Sequence, residues 1–234
     1  MSIKKSKNSS STNLTPIIVG GVVIIALLFF GALFLIQPSA NEGALGGEIA
    51  VDGEQLPDLG MNFNRDCIFF ENLNYCQQLE PAAKMSAPVI SGTGLNGEQI
   101  STGTSNPKVI LFLAHWCGHC QVEVPIVQKW IDENGNPDPI EMYAVITSIS
   151  AGQPNYPPDK WLESENWTIP TFTDNDQDGV ANLFGLKGFP FWALVDHHGK
   201  IITRLNGSFT AEQFEGILLN TLNYDTTEYS DHHE

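Results

Sequence analysis

Cationic side chains are scarce in this sequence: 11 Lys and Arg stand against 27 Asp and Glu in 234 residues, a formal net charge of −16. A protein that wraps nucleic acid needs a basic footprint to neutralise phosphates, so that class is excluded. Charged residues of both signs make up only 16%, below the globular norm of about a quarter. Repeats are absent too, with no Gly-X-Y period and no sustained heptad, which removes collagen-like and coiled-coil architectures. The four cysteines include no second Cys-x-x-Cys or Cys-x-x-His that would complete a tetrahedral zinc site. What is present is apolar: 42% of the chain is hydrophobic, too much for a disordered acidic polymer. The length suits one or two domains.

Residues 17–36 read IIVGGVVIIALLFFGALFLI, without one charge. At about 1.5 Å rise per residue such a helix spans about 30 Å, the hydrocarbon thickness of a bilayer. Lys4, Lys5 and Lys7 precede it and no acid occurs until Glu42. The positive-inside tendency then predicts a cytoplasmic basic tail over 1–16 and an exported remainder. A cleaved signal peptide is the alternative, but its apolar core is usually about 7–15 residues long. The segment Gln37-Pro38-Ser39-Ala40 is also a poor cleavage site, since Pro38 stands where a small side chain is wanted.

Residues 37–84 read as a linker, rich in Gly and Pro and therefore without regular elements at first. This linker carries a small extension closed by Cys67 and Cys76. In an oxidising compartment those two are expected to form a structural disulfide, with an auxiliary redox pair or free thiols as alternatives. An α/β domain is expected over 85–222. Val89-Ile90 and Gln99-Ile100 flank an Asn96-Gly97 hairpin turn. Val109-Ile110-Leu111-Phe112-Leu113 suits a strand buried on both faces. A helix is predicted over 117–131, interrupted at Pro125, and a strand over 142–146. Two short helices follow at 160–166 and 180–184, then strands at 191–195 and 200–204. A last helix covers 211–222, with Thr210 and Gln213 as a capping box. Residues 223–234 form an acidic tail.

Trp116-Cys117-Gly118-His119-Cys120 carries the chemistry. A Cys-x-x-Cys that follows a buried strand and opens a helix is a redox motif. Unsatisfied N–H groups and the positive dipole end favour a thiolate at Cys117, making it the attacking sulfur. Cys120, one turn on, resolves the mixed disulfide. His119 adds a potential positive charge beside the thiolate; stabilising the thiolate stabilises the reduced form and makes the disulfide more oxidising.

Ala114 to Cys120 followed by Glu123 and Pro125 resembles the active-site helix of the thioredoxin-like family. Gly188-Phe189-Pro190 before a strand resembles its cis-proline loop. With Ala87-Pro88, the Gly97 turn, the 174–185 stretch and Gly199-Lys200-Ile201, the resemblance covers residues 85–222. The anchor and the Glu-x-Pro after the second cysteine are similar to the membrane-tethered TlpA/ResA group. This resemblance implies a thioredoxin fold, a central mixed sheet flanked by helices. It implies thiol–disulfide exchange with exported protein cysteines, in some members apocytochrome c, and no cofactor beyond the Cys117-Cys120 disulfide. A membrane electron donor or acceptor is the implied partner. Trp116, His119, Phe189 and Pro190 are the implied substrate-facing residues.

Two positions depart from the family pattern. Leu111 stands where thioredoxins place a buried Asp, so the proton relay is expected from Glu123, three residues after Cys120, where burial raises a carboxyl pKa. Phe189 replaces the small or polar residue usual before the cis-proline.

Other constellations carry less. Asp174-Asn175-Asp176-Gln177-Asp178-Gly179 starts like a calcium loop, but position twelve is Gly185 rather than Glu. It reads as an acidic turn capping the next helix. His197, His198, His232 and His233 read as solvated side chains, and no metal is expected. Trp130, Trp161 and Trp167 read as packing. The expected activity is an extracytoplasmic disulfide reductase, with oxidase or isomerase as the alternative direction. A copper-delivery module is the alternative class, disfavoured because such proteins space their cysteines by three residues.

Overall fold

The computed structural model describes residues 47–59, 80–175 and 177–224. The expected membrane span 17–36, Cys67, Cys76, His232, His233 and the acidic tail after 224 lie outside the described residues. No helix among the described residues is long and apolar enough to cross a membrane.

The order of elements is β1 (Ile49–Asp52), β2 (Val89–Thr93), β3 (Gln99–Ser101), β4 (Lys108–Leu113), α1 (Gly118–Asn134), β5 (Glu141–Ile146), α2 (Pro158–Ser164), β6 (Thr171–Thr173), α3 (Gly179–Leu183), β7 (Phe191–Val195), β8 (Ile201–Asn206) and α4 (Ala211–Asn223). Five strands form a mixed sheet in the order β6-β5-β4-β7-β8, and β1-β2-β3 form a small antiparallel sheet. Strand β1 falls where the glycines and prolines predict irregular chain. Ile49-Ala50-Val51 nonetheless pairs with β2, Ile49 opposite Gly92. An added Cβ at Gly92 would sit 2.2 Å from the Glu48 carbonyl oxygen, so only glycine permits this approach.

Strand β4 is central and all six of its residues are buried. Its alternation feeds two cores. Val109, Leu111 and Leu113 meet Cys120, Val124 and Val127 of α1 and Phe214, Ile217 and Leu218 of α4. Ile110 and Phe112 meet Phe172, Val180, Phe184 and Phe191 on the opposite face. Each such side chain, fully buried, contributes about 1.5–3 kcal/mol.

Helix α1 buries Cys120, Glu123, Val124, Val127, Gln128 and Ile131, the three-and-four spacing of one helical face. It continues through Pro125, which lies on the exposed side. It stops at Gly135, whose φ of 81° lets its N–H return to the Ile131 carbonyl. Helix α4 opens with the expected capping box: Gln213 N–H donates to the Thr210 hydroxyl, and Thr210 N–H donates to the Gln213 side chain.

Sheet topology decides what meets at the site. Strand β5 runs parallel to β4 and β6 parallel to β5, so the chain leaves all three at one edge. Strand β7 is antiparallel to β4, with Phe191 opposite Phe112, so the loop entering β7 arrives at that same edge. Strand β8 ends there too, Asn206 opposite Phe191.

Candidate active site

Leu113 ends β4, and the chain turns over Ala114-His115-Trp116 to place Cys117 as the N-cap of α1. Cys117 is half-buried and Cys120, one turn in, is fully buried; both are unbridged. The Ala114 N–H points at Cys120 Sγ, 3.5 Å away. Burial, with the Cys117 sulfur beside it, pushes the Cys120 thiol pKa well up, so the buried sulfur keeps its proton at neutral pH. Across the edge, the Phe189-Pro190 bond is cis, as the resemblance implied. The Phe189 carbonyl oxygen lies 3.9 Å from Cys117 Sγ, within reach of an S–H donor.

Glu123 is fully buried rather than solvated. Its Oε2 accepts from Phe209 N–H at 2.8 Å, while Oε1 finds no donor among the described residues. Burial raises its pKa to about 7, against the opposing pull of the Phe209 N–H and the nearby Ser208 hydroxyl. Its charge in turn disfavours the Cys120 thiolate. Leu111 packs in the same core as Cys120, so the carboxyl group near the buried sulfur comes from the helix and not from β4.

Around this pair stands an aromatic rim. Trp116 is 36% exposed and meets Phe189 edge to face, with centroids 5.8 Å apart. His119 is exposed, and its backbone carbonyl accepts from the Ser208 hydroxyl. A family model described as redoxin matches residues 82–218. The chain belongs to the redoxin family.

The relatives of this redoxin lie where the geometry points. The thiol-disulfide oxidoreductase ResA of Geobacillus thermodenitrificans is 27% identical over 111 residues, 44% of this chain and 56% of that protein. The chain thus spans little more than half the length of that relative. ResA of Bacillus anthracis is 25% identical over 134 residues, 56% of this chain and 74% of that one. The solution structure of a Neisseria meningitidis protein described as a thioredoxin superposes with a TM-score of 0.51 at 21% identity, covering 63% of this chain and 97% of that one. That likeness shows a thioredoxin-like fold.

The edge therefore brings together Trp116, Cys117, His119, Cys120, Glu123, Phe189 and Pro190, all singled out from sequence. Sequence reasoning missed His115, which is fully buried. Its Nε2 accepts from Ser150 N–H at 3.1 Å, so Nδ1 carries the proton and donates to the Pro154 carbonyl at 2.6 Å. Its own carbonyl accepts from the Asn155 amide. His115 thereby stitches the loop after β5 to the turn that carries Cys117. A histidine one residue before the Trp-Cys pair is the only sequence signal for it.

The acidic turn caps α3, but through Asp174. Its carboxylate accepts from Asn175, Val180 and Ala181 N–H groups at 2.8, 2.9 and 3.0 Å. Asp178 makes no such cap and faces the loop after β5 instead. Trp161 is buried, and Trp130 and Trp167 pack against the α1–α4 core. His197 and His198 lie in the turn between β7 and β8, their rings 4.0 Å apart. No group of three or more metal-ligating side chains occurs among the described residues.

Proposed function

We propose that this redoxin is a membrane-anchored thiol–disulfide oxidoreductase that reduces disulfides in exported proteins. The observation that carries the reading is the asymmetry of the sulfur pair, with Cys117 half-exposed at a helix start and Cys120 buried behind it. The ResA relatives support the thiol–disulfide exchange, and the uncharged run 17–36 behind three lysines supports the anchored, extracytoplasmic setting; a role in cytochrome c maturation follows from the TlpA/ResA resemblance alone.

In the forward direction the Cys117 thiolate attacks one sulfur of a substrate disulfide. A mixed disulfide forms, and the first substrate sulfur leaves as a thiolate that takes up a proton. Cys120 then gives its proton to the Glu123 carboxylate and attacks Cys117 Sγ. The second substrate thiol leaves, and the protein holds a Cys117-Cys120 disulfide. Two electrons pass to the substrate; a membrane-borne thiol donor returns them. The cis-proline loop presents the Phe189 carbonyl beside Cys117, where an extended substrate segment can pair with backbone. Trp116 and His119 flank that segment.

The test is to replace the resolving cysteine in the full chain. Cys120→Ala should accumulate a partner on Cys117 that dithiothreitol releases, and the double variant with Cys117→Ala should accumulate none. An empty trap, together with no reduction of insulin by the wild type, overturns the reading. Direction is read from the equilibrium potential: a reductase lies nearer thioredoxin, at about −270 mV, than an isomerase, at about −180 mV. A value at the isomerase end reverses the assignment to the oxidase or isomerase that Gly118-His119 favours.

A further inference from the structure

An indole on the rim of a site can serve as a binding surface only if its rotamer is fixed. Trp116 has two restraints. Its Nε1–H donates to the Ser148 carbonyl at 2.8 Å, and its ring braces Phe189 edge to face. Ser148 in turn sits at a φ of 51°, a region sparsely occupied by residues other than glycine. Asp178 holds it there. One carboxylate oxygen accepts Ser148 N–H at 2.7 Å and the other accepts the Ser148 hydroxyl at 2.9 Å. The Thr147 hydroxyl lies 3.0 Å from both the Asp174 and Asp178 carboxylates, and can donate to one at a time. Asp178 does no capping for α3, since Asp174 takes that duty. Its hydrogen bonds run toward the redox edge.

We infer that Asp178 is a positioning residue for protein substrates, acting through Ser148 to hold the Trp116 indole as a fixed wall beside Cys117. The inference rests on the oxidoreductase reading above. Trp116 and Phe189 together offer an apolar, edge-to-face surface to the residues flanking a substrate cysteine, so the favoured substrates carry an apolar or aromatic residue there. A small disulfide needs Cys117 alone and does not reach the wall. Loss of the Asp178 carboxylate therefore separates large substrates from small ones.

The experiment compares turnover of insulin with reaction of glutathione disulfide, dithiothreitol supplying the electrons. Asp178→Ala should raise KM for insulin about tenfold, the scale of one lost charged hydrogen bond. Its kcat, and its rate with glutathione disulfide, should stay within about twofold of wild type. Asp178→Asn keeps the acceptor for Ser148 N–H and should restore most of the insulin KM. Trp116→Phe removes the indole N–H, should itself raise the insulin KM, and should make a further Asp178→Ala change silent. Equal losses on both disulfides, additive losses in the double variant, or an unaltered insulin KM in Trp116→Phe overturn the inference. The last readout holds even if Asp178→Ala does not fold. A wild type that reduces neither disulfide is a different failure, that of the oxidoreductase reading itself.

Discussion

A carboxyl group with no exposure and one unpartnered oxygen is costly to ionise, and at Glu123 that cost has opposite effects on folding and on chemistry. Its pKa is about 7 in the folded chain, against an ordinary value of 4.5. Below the ordinary value both states are protonated and pH changes nothing through this residue. Between the two values the unfolded chain has released the proton and the folded chain has not, so stability falls as pH rises. Above the folded value the full penalty applies, about 3 kcal/mol. Glu123→Gln keeps an acceptor for Phe209 N–H and cannot ionise. It should match wild type near pH 4 and exceed it by up to about 3 kcal/mol at pH 8 in denaturant melts. The same variant should slow exchange and lose the inflection near pH 7 in the pH–rate profile. Stability curves that run parallel at both pH values would remove the buried acid, and an unchanged profile would remove the relay. The residue type and its spacing from Cys120 were readable in advance; the Phe209 N–H that fixes it was not, because that partner is 86 positions away.

Elements far apart in sequence are joined by a buried ion pair that no local pattern announces. Arg204 of β8 is fully buried, and its Nη2 and Nε reach Glu80 Oε1 at 2.7 and 3.1 Å. Its backbone N–H donates to Glu80 Oε2, and Nη1 donates to the Phe184 carbonyl that follows α3. Glu80 thus fastens the segment before β2 to the edge of the main sheet. Removing one partner leaves an uncompensated buried charge, so Glu80→Ala should cost about 3–5 kcal/mol. Replacing both residues by leucine should cost less than the single change. A single-variant cost below about 1 kcal/mol in chemical denaturation would show the pair to be solvated. The same contrast explains what was legible. Strand β4 announced itself because a strand covered on both faces is an unbroken apolar run, and α4 because its capping box is local. Strand β1, the three residues of β6 and the Asp178–Ser148 bond depend on which strand ends the sheet brings together. Composition carries no record of that.

The scarcity of cations is sharper for the molecule than for its sequence as a whole. All 27 acids and eight of the 11 bases lie after residue 36, which leaves −19 on that side and +3 before it. The described charge near the redox edge follows the same sign: Asp178, at the start of α3, holds the Ser148 loop on which Trp116 rests, and no lysine or arginine stands among the site residues. An acidic body attracts basic partners over the Debye length, about 30 Å at 10 mM salt and about 8 Å at 150 mM. Association with a basic protein disulfide should therefore be fast at low salt and fall about tenfold across that range, while an acidic substrate should gain. Stopped-flow reduction of two protein disulfides of opposite net charge reads both slopes. Because screening acts on encounter, the salt effect belongs in kcat/KM and leaves kcat nearly flat. Equal slopes for the two substrates would mean that the charge keeps the domain soluble and takes no part in choosing its partners.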